Sequence, residues 1–481
     1  MSLIDLLILI GYFTFSLIIG LTFHNKTKTR DDYLLAGRSM GWLPVGLSIM
    51  VTAFSAINIT AFSGEVLSYG LYALMSIPVF YLVSIPVKRV IIPFFHGLNI
   101  TSAYEYLEIR YDRKVRQLAA LMFVLWRILW IATVIYIPSR ILSGMSGISL
   151  NSLILITGSI ATFYTFWGGI RAVIWTDVIQ FIVMITGLIA SVVFVIHLVP
   201  DGIHGIIQTA LPAGLLKPFK PFDVTIFSFD PRIRISFWSA IIGTFIAFLT
   251  RYGADQVVIQ RYLTAKNLAQ AQKGFTLNYL AAIASILLLG FLGLAIHAYF
   301  IQQGEIPQYS MLPINYFTRF VNALPPGING LMITAIIAAS MSSFDSGIHS
   351  CSTVFSVDFQ NLSFFKKISP QVLTLILGVL ITVTALYIKD FGSVFEIANK
   401  IVNGFGSPLL ALFIMGKYSR NSSSFGAFTG GIAGLLFSSC VILFVKNLAL
   451  HYYAVVNFIG TIGFIYIFSA IRNQARPAPS N

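Results

Sequence analysis

The chain has 481 residues, of which 57% are hydrophobic and only 10% charged, with a mean hydropathy of +0.84 and a formal net charge of +14. Soluble domains carry roughly 25% charged residues, so a water-soluble fold is excluded because it could not hide this much apolar surface. Two cysteines in apolar segments, Cys351 and Cys440, exclude a disulfide framework, and seven histidines without ligand spacing give no support to a metal centre.

Apolar stretches long enough to cross about 30 Å of hydrocarbon recur along the sequence. They predict thirteen membrane helices, at 3–23, 42–68, 71–92, 117–142, 151–167, 172–198, 235–253, 275–300, 327–352, 370–388, 391–416, 425–445 and 452–471. The first contains Asp5 and has no basic residue before its apolar run, so it reads as a retained helix and not as a signal peptide. With the amino terminus outside, the inner connections at 24–40, 88–116, 169–177, 251–273, 356–370, 417–424 and 472–481 carry 21 Lys and Arg. The outer ones carry seven: Lys217, Lys220, Arg232, Arg234, Arg319, Lys389 and Lys446. Basic residues collect on the cytoplasmic side, which places both the orientation and the high pI without nucleic acid as a partner. No connection is long enough for a soluble domain beyond the outer loop around 199–234, so one membrane domain is expected.

Three segments are too polar for helices surrounded by lipid. The second span reads GWLPVGLSIMVTAFSAINITAFSGEVLSYG, with Thr52, Ser55, Asn58, Thr60, Ser63 and Glu65 at mid-depth or just beyond. Backbone unwound inside a bilayer survives where it is buried or lines a wet cavity, and its freed carbonyls are cation ligands; small polar residues also serve helix packing. The turn TFWGGIRAVIWTDVIQF places Gly168 and Gly169 between spans five and six and Asp177 about one turn into the next helix. There a carboxylate either complements a helix amino terminus or belongs to a site. The ninth span, GLMITAIIAASMSSFDSGIHSCSTVF, crowds Ser340, Ser342, Ser343, Asp345, Ser346 and Ser350 into its inner half. A carboxylate within a span costs at least about 2.5 kcal/mol unless paired, solvated or bound to a cation. Asp345 therefore needs a partner, unless it lies at the cytoplasmic interface and is wet.

These segments resemble the sodium:solute symporter family, which includes sodium-coupled sugar, monocarboxylate, iodide, proline and sialic acid transporters. The resemblance rests on KTRDDYLLAGRSMGW, VTAFSAIN with SGEVLSYG, ITSAYEYLEIRYD, YTFWGGIRAVIWTDVIQ, ADQVVIQRYLTAKN and AASMSSFDSGIHSCSTVFSVDF, and covers nearly the whole chain. It implies an all-α, leucine-transporter-like membrane fold with inverted five-helix repeats at 42–198 and 235–416, and peripheral helices at 3–23, 425–445 and 452–471. The first helix of each repeat is broken, with the solute between them at mid-membrane. Matched to the family motif, the carbonyls of Val51, Phe54 and Ala339 and the hydroxyls of Ser342 and Ser343 form a first sodium site. Asp177, with Ser342, Asp345 and Ser346 opposite, matches a second, although a Ser often stands where this chain has Asp345.

Solute-facing positions of relatives fall on Ala53, Ser55 and Asn58, and around Thr250, Arg251, Asp255 and Gln256, with Tyr72 and Ser76 as candidates on the helix between. In a bacterial sialic acid branch an arginine on the third core helix grips the substrate carboxylate; here Trp130 stands at that position, with Arg127 one turn earlier. Arg127 either reaches a carboxylate or snorkels to the inner interface. The implied function is sodium-coupled uptake of a small polar solute (a sugar, sialic acid or carboxylate) across the cell membrane, by a chain working as a monomer in the bilayer. A sodium-independent channel or uniporter and a transporter-like sensor are the alternatives. Asp177 and Asp345 make a carboxylate pair on paper, but no nucleophile or metal motif accompanies them, so an enzyme is not expected.

Overall fold

The computed structural model describes residues 1–24, 27–216, 227–233, 236–305, 313–388, 394–445, 448–449 and 451–474. Lys217, Lys220, Arg234, Lys389, Lys446 and the tail from 475 onward lie outside the described residues. Among those described, the regular structure is helical, with one isolated bridge between Met40 and Ala265. Among the described residues nine helices are long and apolar enough to cross a membrane, or ten when the bent pair in the second span counts as one.

The first helix, α1 (Leu3–His24), lies on the rim of the bundle. Its Asp5 carboxylate faces the protein: Oδ1 accepts the backbone N–H groups of Gly327 and Gly330, each at 2.8 Å, and Oδ2 accepts from the Ser2 amide and hydroxyl. The four leading N–H groups of a helix lack intrahelical partners, and here a neighbouring helix supplies the acceptor. A short helix, α2 (Arg30–Leu35), follows. It begins in a capping box, in which the Thr29 hydroxyl and amide hold the Asp32 carboxyl below its usual range.

The second span consists of two helices, α3 (Trp42–Ala53) and α4 (Ala56–Tyr69), bent by 62°. After α5 (Leu74–Gly97) and α6 (Arg113–Ser146) comes α7 (Leu150–Leu198), continuous in hydrogen bonding but interrupted at Gly169, whose φ is +59°. A straight helix of 49 residues would be about 74 Å long, far beyond a bilayer. Instead Gln180 Nε2 reaches the hydroxyl of Tyr164, 16 residues back, at 3.4 Å. Along one helix those residues would stand about 24 Å apart, so α7 is two antiparallel arms. Only glycine suits the corner, because a Cβ at 169 would approach the carbonyl oxygen of Tyr33 to 2.9 Å at a positive φ.

The second half contains α8 (Thr244–Gly253), α9 (Gln256–Thr264), α10 (Leu268–Gln302) and α11 (Ile328–Asp358), then α12 (Pro370–Tyr387), α13 (Val394–Tyr418), α14 (Ser424–Phe444) and α15 (Tyr452–Gln474). The expected seventh span ended at 253, with 251–273 as an inner loop. The structure corrects this: the helix breaks at Ala254 and resumes as α9, capped by Asp255, whose Oδ1 accepts the Val257 N–H at 3.0 Å. The charges that looked like a loop lie inside the bundle, and Arg261 is fully buried. Two of the 21 basic residues assigned to inner connections, Arg251 and Arg261, therefore leave that count.

At the centre stands α11, with 94% of its apolar window buried, packed by α7, α6, α12, α1 and α3. Lipid tails give helices no hydrophobic reason to associate, so close backbone packing must hold them. The crossing of α3 and α10 is of this kind, since a Cβ on Gly46 would fall 2.4 Å from the Gly274 carbonyl oxygen.

Candidate functional site

The break between α3 and α4 contains neither Pro nor Gly. It is made by side chains: Asn58 Oδ1 accepts the backbone N–H of Ser55 at 3.0 Å, starting a new helix, while the Phe54 N–H closes back on the Val51 carbonyl at 3.0 Å. The last carbonyls of α3 lack helical partners and carry the partial negative charge of a helix carboxyl end. Beside them runs α11. The Ser342 hydroxyl donates to the carbonyls of Val51 (3.0 Å) and Ala339 (2.9 Å), and the Ser343 hydroxyl donates to that of Thr52 (3.0 Å). The structure thus gathers Val51, Ala339, Ser342 and Ser343 at one point, places Phe54 in the adjoining break, and adds the Thr52 carbonyl, which the sequence motif did not indicate. All are neutral oxygens, the ligands a hard cation prefers.

One turn along, Asp177 of α7 is fully buried. Its Oδ2 accepts from the hydroxyls of Ser48 (2.5 Å), Thr52 (3.4 Å) and Ser346 (3.5 Å), and lies 3.5 Å from Nη2 of Arg261. Its partners come from α3, α9 and α11, so the carboxylate does not serve its own helix end. Arg261 also donates to Ser48 Oγ (3.1 Å), to the Val257 carbonyl (2.9 Å) and to Ser346 Oγ. Asp345 is buried as well, not wet at an interface. Its carboxylate accepts from Tyr164 Oη (2.6 Å), Thr176 Oγ1 (3.4 Å) and the Ser346 amide. Of the four expected second-site residues, Asp177 and Ser346 meet directly, Asp345 turns toward α7, and Ser342 belongs to the first cluster. Ser48 and Arg261 were not singled out from sequence. Arg261 carried a signal, because a charge within the apolar run VVIQRYL requires a buried partner.

A narrow cavity adjoins the break, lined by Thr52, Ala53, Trp126, Arg127, Trp130, Arg251, Asp255, Val257 and Val258. Arg127 is ion-paired with Asp255 across the second helix break, and its guanidinium lies 4.8 Å from the ring centre of Trp126. Of the expected solute-facing residues, Ala53, Arg127, Trp130, Arg251 and Asp255 line it. Ser55 and Asn58 bond each other instead, and Thr250 donates back to the Ile246 carbonyl. Tyr72 packs with Phe237 against Met75 and Ala240, away from the cavity, and Ser76 also lies outside its lining. Gln256 points elsewhere too: its Oε1 accepts the Ala103 N–H (2.8 Å) and its Nε2 donates to the Thr101 carbonyl (3.0 Å). As first residue after the break its side chain reaches the 101–103 loop, whereas Asp255, one position earlier, lines the cavity. Trp126 was missed, although WRILW sets Trp126 and Trp130 one turn apart on one face. A larger hollow between α1 and α7, lined by Leu17, Leu155, Ile156, Phe163 and Trp167, has Ser159 as its one polar side chain and is a lipid-facing groove.

A model of the sodium:solute symporter family matches residues 33–434. Sodium-coupled monocarboxylate transporter 1 of Mus musculus is 30% identical over 422 residues, covering 85% of this chain and 68% of that protein. The sodium/sialic acid symporter NanT of Aliivibrio fischeri is 29% identical over 442 residues, 89% of this chain and 85% of that protein. The substrate-bound, outward-open structure of a Na+-coupled sialic acid symporter superposes with a TM-score of 0.87 at 25% identity, covering 98% of each chain. That superposition gives the all-α, leucine-transporter-like architecture of inverted repeats. The chain belongs to the sodium:solute symporter family.

Proposed function

We propose that this chain carries a small polar organic solute into the cell together with sodium, by alternating access. The observation that carries this reading is the meeting of a broken helix with α11, where Ser342 and Ser343 donate to the carbonyls of Val51, Ala339 and Thr52. A site of neutral oxygens holds sodium loosely enough to release it each cycle. We read Val51, Phe54, Ala339, Ser342 and Ser343 as the first sodium site, and Asp177, Asp345 and Ser346, next to Ser342, as the second. Charge supports the second: two buried carboxylates face one guanidinium, Arg261, and the remaining negative charge calls for a cation.

Thr52 ties these parts together. Its carbonyl accepts from Ser343, its hydroxyl lies 2.9 Å from Ser346 Oγ, and it lines the cavity. Ion and solute would therefore act on the same turn of α3. We assign thirteen spans by dividing α7 at Gly169 and counting α8 with α9 and α13 as spans, with repeats at 42–198 and 235–416. The amino terminus lies outside and the working unit is a monomer in the plasma membrane. The test is uptake by proteoliposomes of labelled sugars, sialic acids, short carboxylates and amino acids. Accumulation should require an inward sodium gradient, whereas a channel or uniporter would equilibrate its solute with or without one.

A further inference from the structure

We infer that the cavity is built for a solute carrying a single carboxylate, gripped by Arg251 together with unpartnered donors of Arg127 and Trp126; this rests on the symport reading above. Three charged side chains line the cavity: Arg127, Arg251 and Asp255. The ion pair of Arg127 with Asp255 cancels two of them. Arg251, half-buried, makes no hydrogen bond or ion pair among the described residues, so the cavity carries one positive charge. A cation left unmatched there is costly. The solute that relieves the cost brings one negative charge.

The hydrogen-bonding inventory points the same way. Nε of Arg127 and Nε1 of Trp126 are buried and lack partners, and both residues are more than nine-tenths buried. Both atoms are obligate donors, as is every nitrogen of Arg251. The acceptors facing them are few, because the Asp255 carboxylate already takes Arg127 and the Val257 N–H. A sugar hydroxyl needs acceptors as well as donors, so a polyol would leave its own protons unsatisfied. An α-amino acid would set its ammonium beside two guanidinium groups with only a committed carboxylate to answer it. A carboxylate offers about four lone-pair sites and no proton, which fits a donor-rich cavity, and Arg pairs with it in a planar, two-pronged geometry. The remaining walls, the rings of Trp126 and Trp130 with Val257 and Val258, suit a short apolar or aromatic body behind that head.

Binding to the purified full chain can be followed by tryptophan fluorescence in sodium or choline, with acetate, propionate, pyruvate, benzoate and N-acetylneuraminate as acid probes. Propionamide, glucose, alanine and iodide serve as comparison probes. In sodium, at least one acid should bind, and propionamide should bind at least about 30-fold more weakly than propionate, the loss expected when a charged hydrogen-bonded pair is removed. Arg251→Gln should lose acid binding by about the same factor while the response to sodium alone persists, and Arg251→Lys should recover part of it. The wild-type comparison of propionate with propionamide stands even if the variants fold poorly. Sodium-dependent binding of glucose, alanine or iodide in preference to every acid, or of no probe although sodium itself binds, overturns the carboxylate assignment and leaves the symport reading in place. Loss of any sodium response in the wild type overturns the symport reading and the inference with it.

Discussion

Nη2 of Arg261 lies 3.5 Å from Oδ2 of Asp177, and neither side chain touches solvent. The guanidinium reaches Asp177 from α9, the second half of the broken helix, while the carboxylate comes from the arm of α7 that follows Gly169. Ser48 and Ser346 bond to both partners, so this ion pair links α3, α7, α9 and α11 at one point. A pair placed across the moving parts of a two-repeat carrier is held together in one state and has to be compensated in any state that separates it.

Removing one partner should therefore cost more than removing both. Arg261→Gln leaves two buried carboxylates without a cation, a change that in buried pairs is destabilising by about 3–5 kcal/mol. Asp177→Asn leaves a buried guanidinium. The double variant should recover a large part of either loss, read as the midpoint of thermal unfolding in detergent at fixed sodium. Additive losses across the cycle would mean that the two residues do not interact.

Replacing Ser342 or Ser343 with Ala deletes one oxygen from the proposed first sodium site. Hydrogen bonds and ligands to charged groups contribute about 1.5–3 kcal/mol, so the sodium concentration for half-maximal uptake should rise at least about ten-fold. Ser340→Ala, on the same helix but with its hydroxyl given to the Val134 carbonyl, is the control and should leave sodium dependence near wild type. Unchanged sodium dependence in both Ser342→Ala and Ser343→Ala would remove the site from this position.

Asp5 caps a helix that is not its own, through two N–H bonds of 2.8 Å from Gly327 and Gly330. Losing a side-chain cap costs about 1 kcal/mol and up to about 2, so Asp5→Ala should lower thermal stability by that amount with sodium affinity preserved. Gly330→Ala should be worse, because its Cβ would stand 2.5 Å from the Asp5 Cα. Stability equal to wild type in both variants would mean that α1 is not seated on α11 as described.

The parts of this protein written as a period or a composition were legible beforehand, and the parts that depend on which way a side chain turns were not. Spans followed from apolar length, and the broken α3–α4 helix from the polar cluster around Ser55. The second break was implied by the family resemblance but was not legible in composition, because Arg251, Asp255 and Arg261 read as part of a loop; only packing reveals that each is matched or aimed inside the bundle. For the same reason Gln256 was placed with the solute when its amide serves the 101–103 backbone. Asp345 was correctly seen to need a partner, but Tyr164, the partner it found, lies on the far arm of α7, a neighbour that sequence spacing does not disclose.

Orientation has its own test. The positive charge in Lys28, Arg30 and Arg38 lies at the same end of the bundle as the 101–116 segment, given that Arg38 Nη2 donates to the Ile100 carbonyl at 2.9 Å. That end is expected to be cytoplasmic, together with the carboxyl terminus. A cysteine placed at 475 or beyond should react with a membrane-impermeant thiol reagent only after the cells are opened, while one at position 2 should react in intact cells. The reverse pattern would invert the direction assigned to transport.

The last prediction concerns the sodium count. With Asp177 and Asp345 both ionised, two negative charges stand against the one positive charge of Arg261, so the cluster is then neutral with one further cation, and the proposed first site takes another ion on neutral oxygens. Two sodium ions per solute are therefore expected. With a monoanionic carboxylate as solute, a two-to-one cycle moves one net positive charge inward, whereas a one-to-one cycle is electroneutral. Each charge crossing 100 mV releases about 2.3 kcal/mol, worth about fifty-fold in the accumulation limit. The measurement is the reversal potential of solute flux in proteoliposomes at several sodium gradients, with potassium and valinomycin setting the voltage. Wild type should reverse where two sodium gradients and one charge balance the solute gradient. Asp177→Ala, if it still transports, should reverse with one sodium and no dependence on voltage. An electroneutral wild type carrying a monoanion would abolish the second site, and Asp177 would then stand as the fixed counter-charge of Arg261 and nothing more.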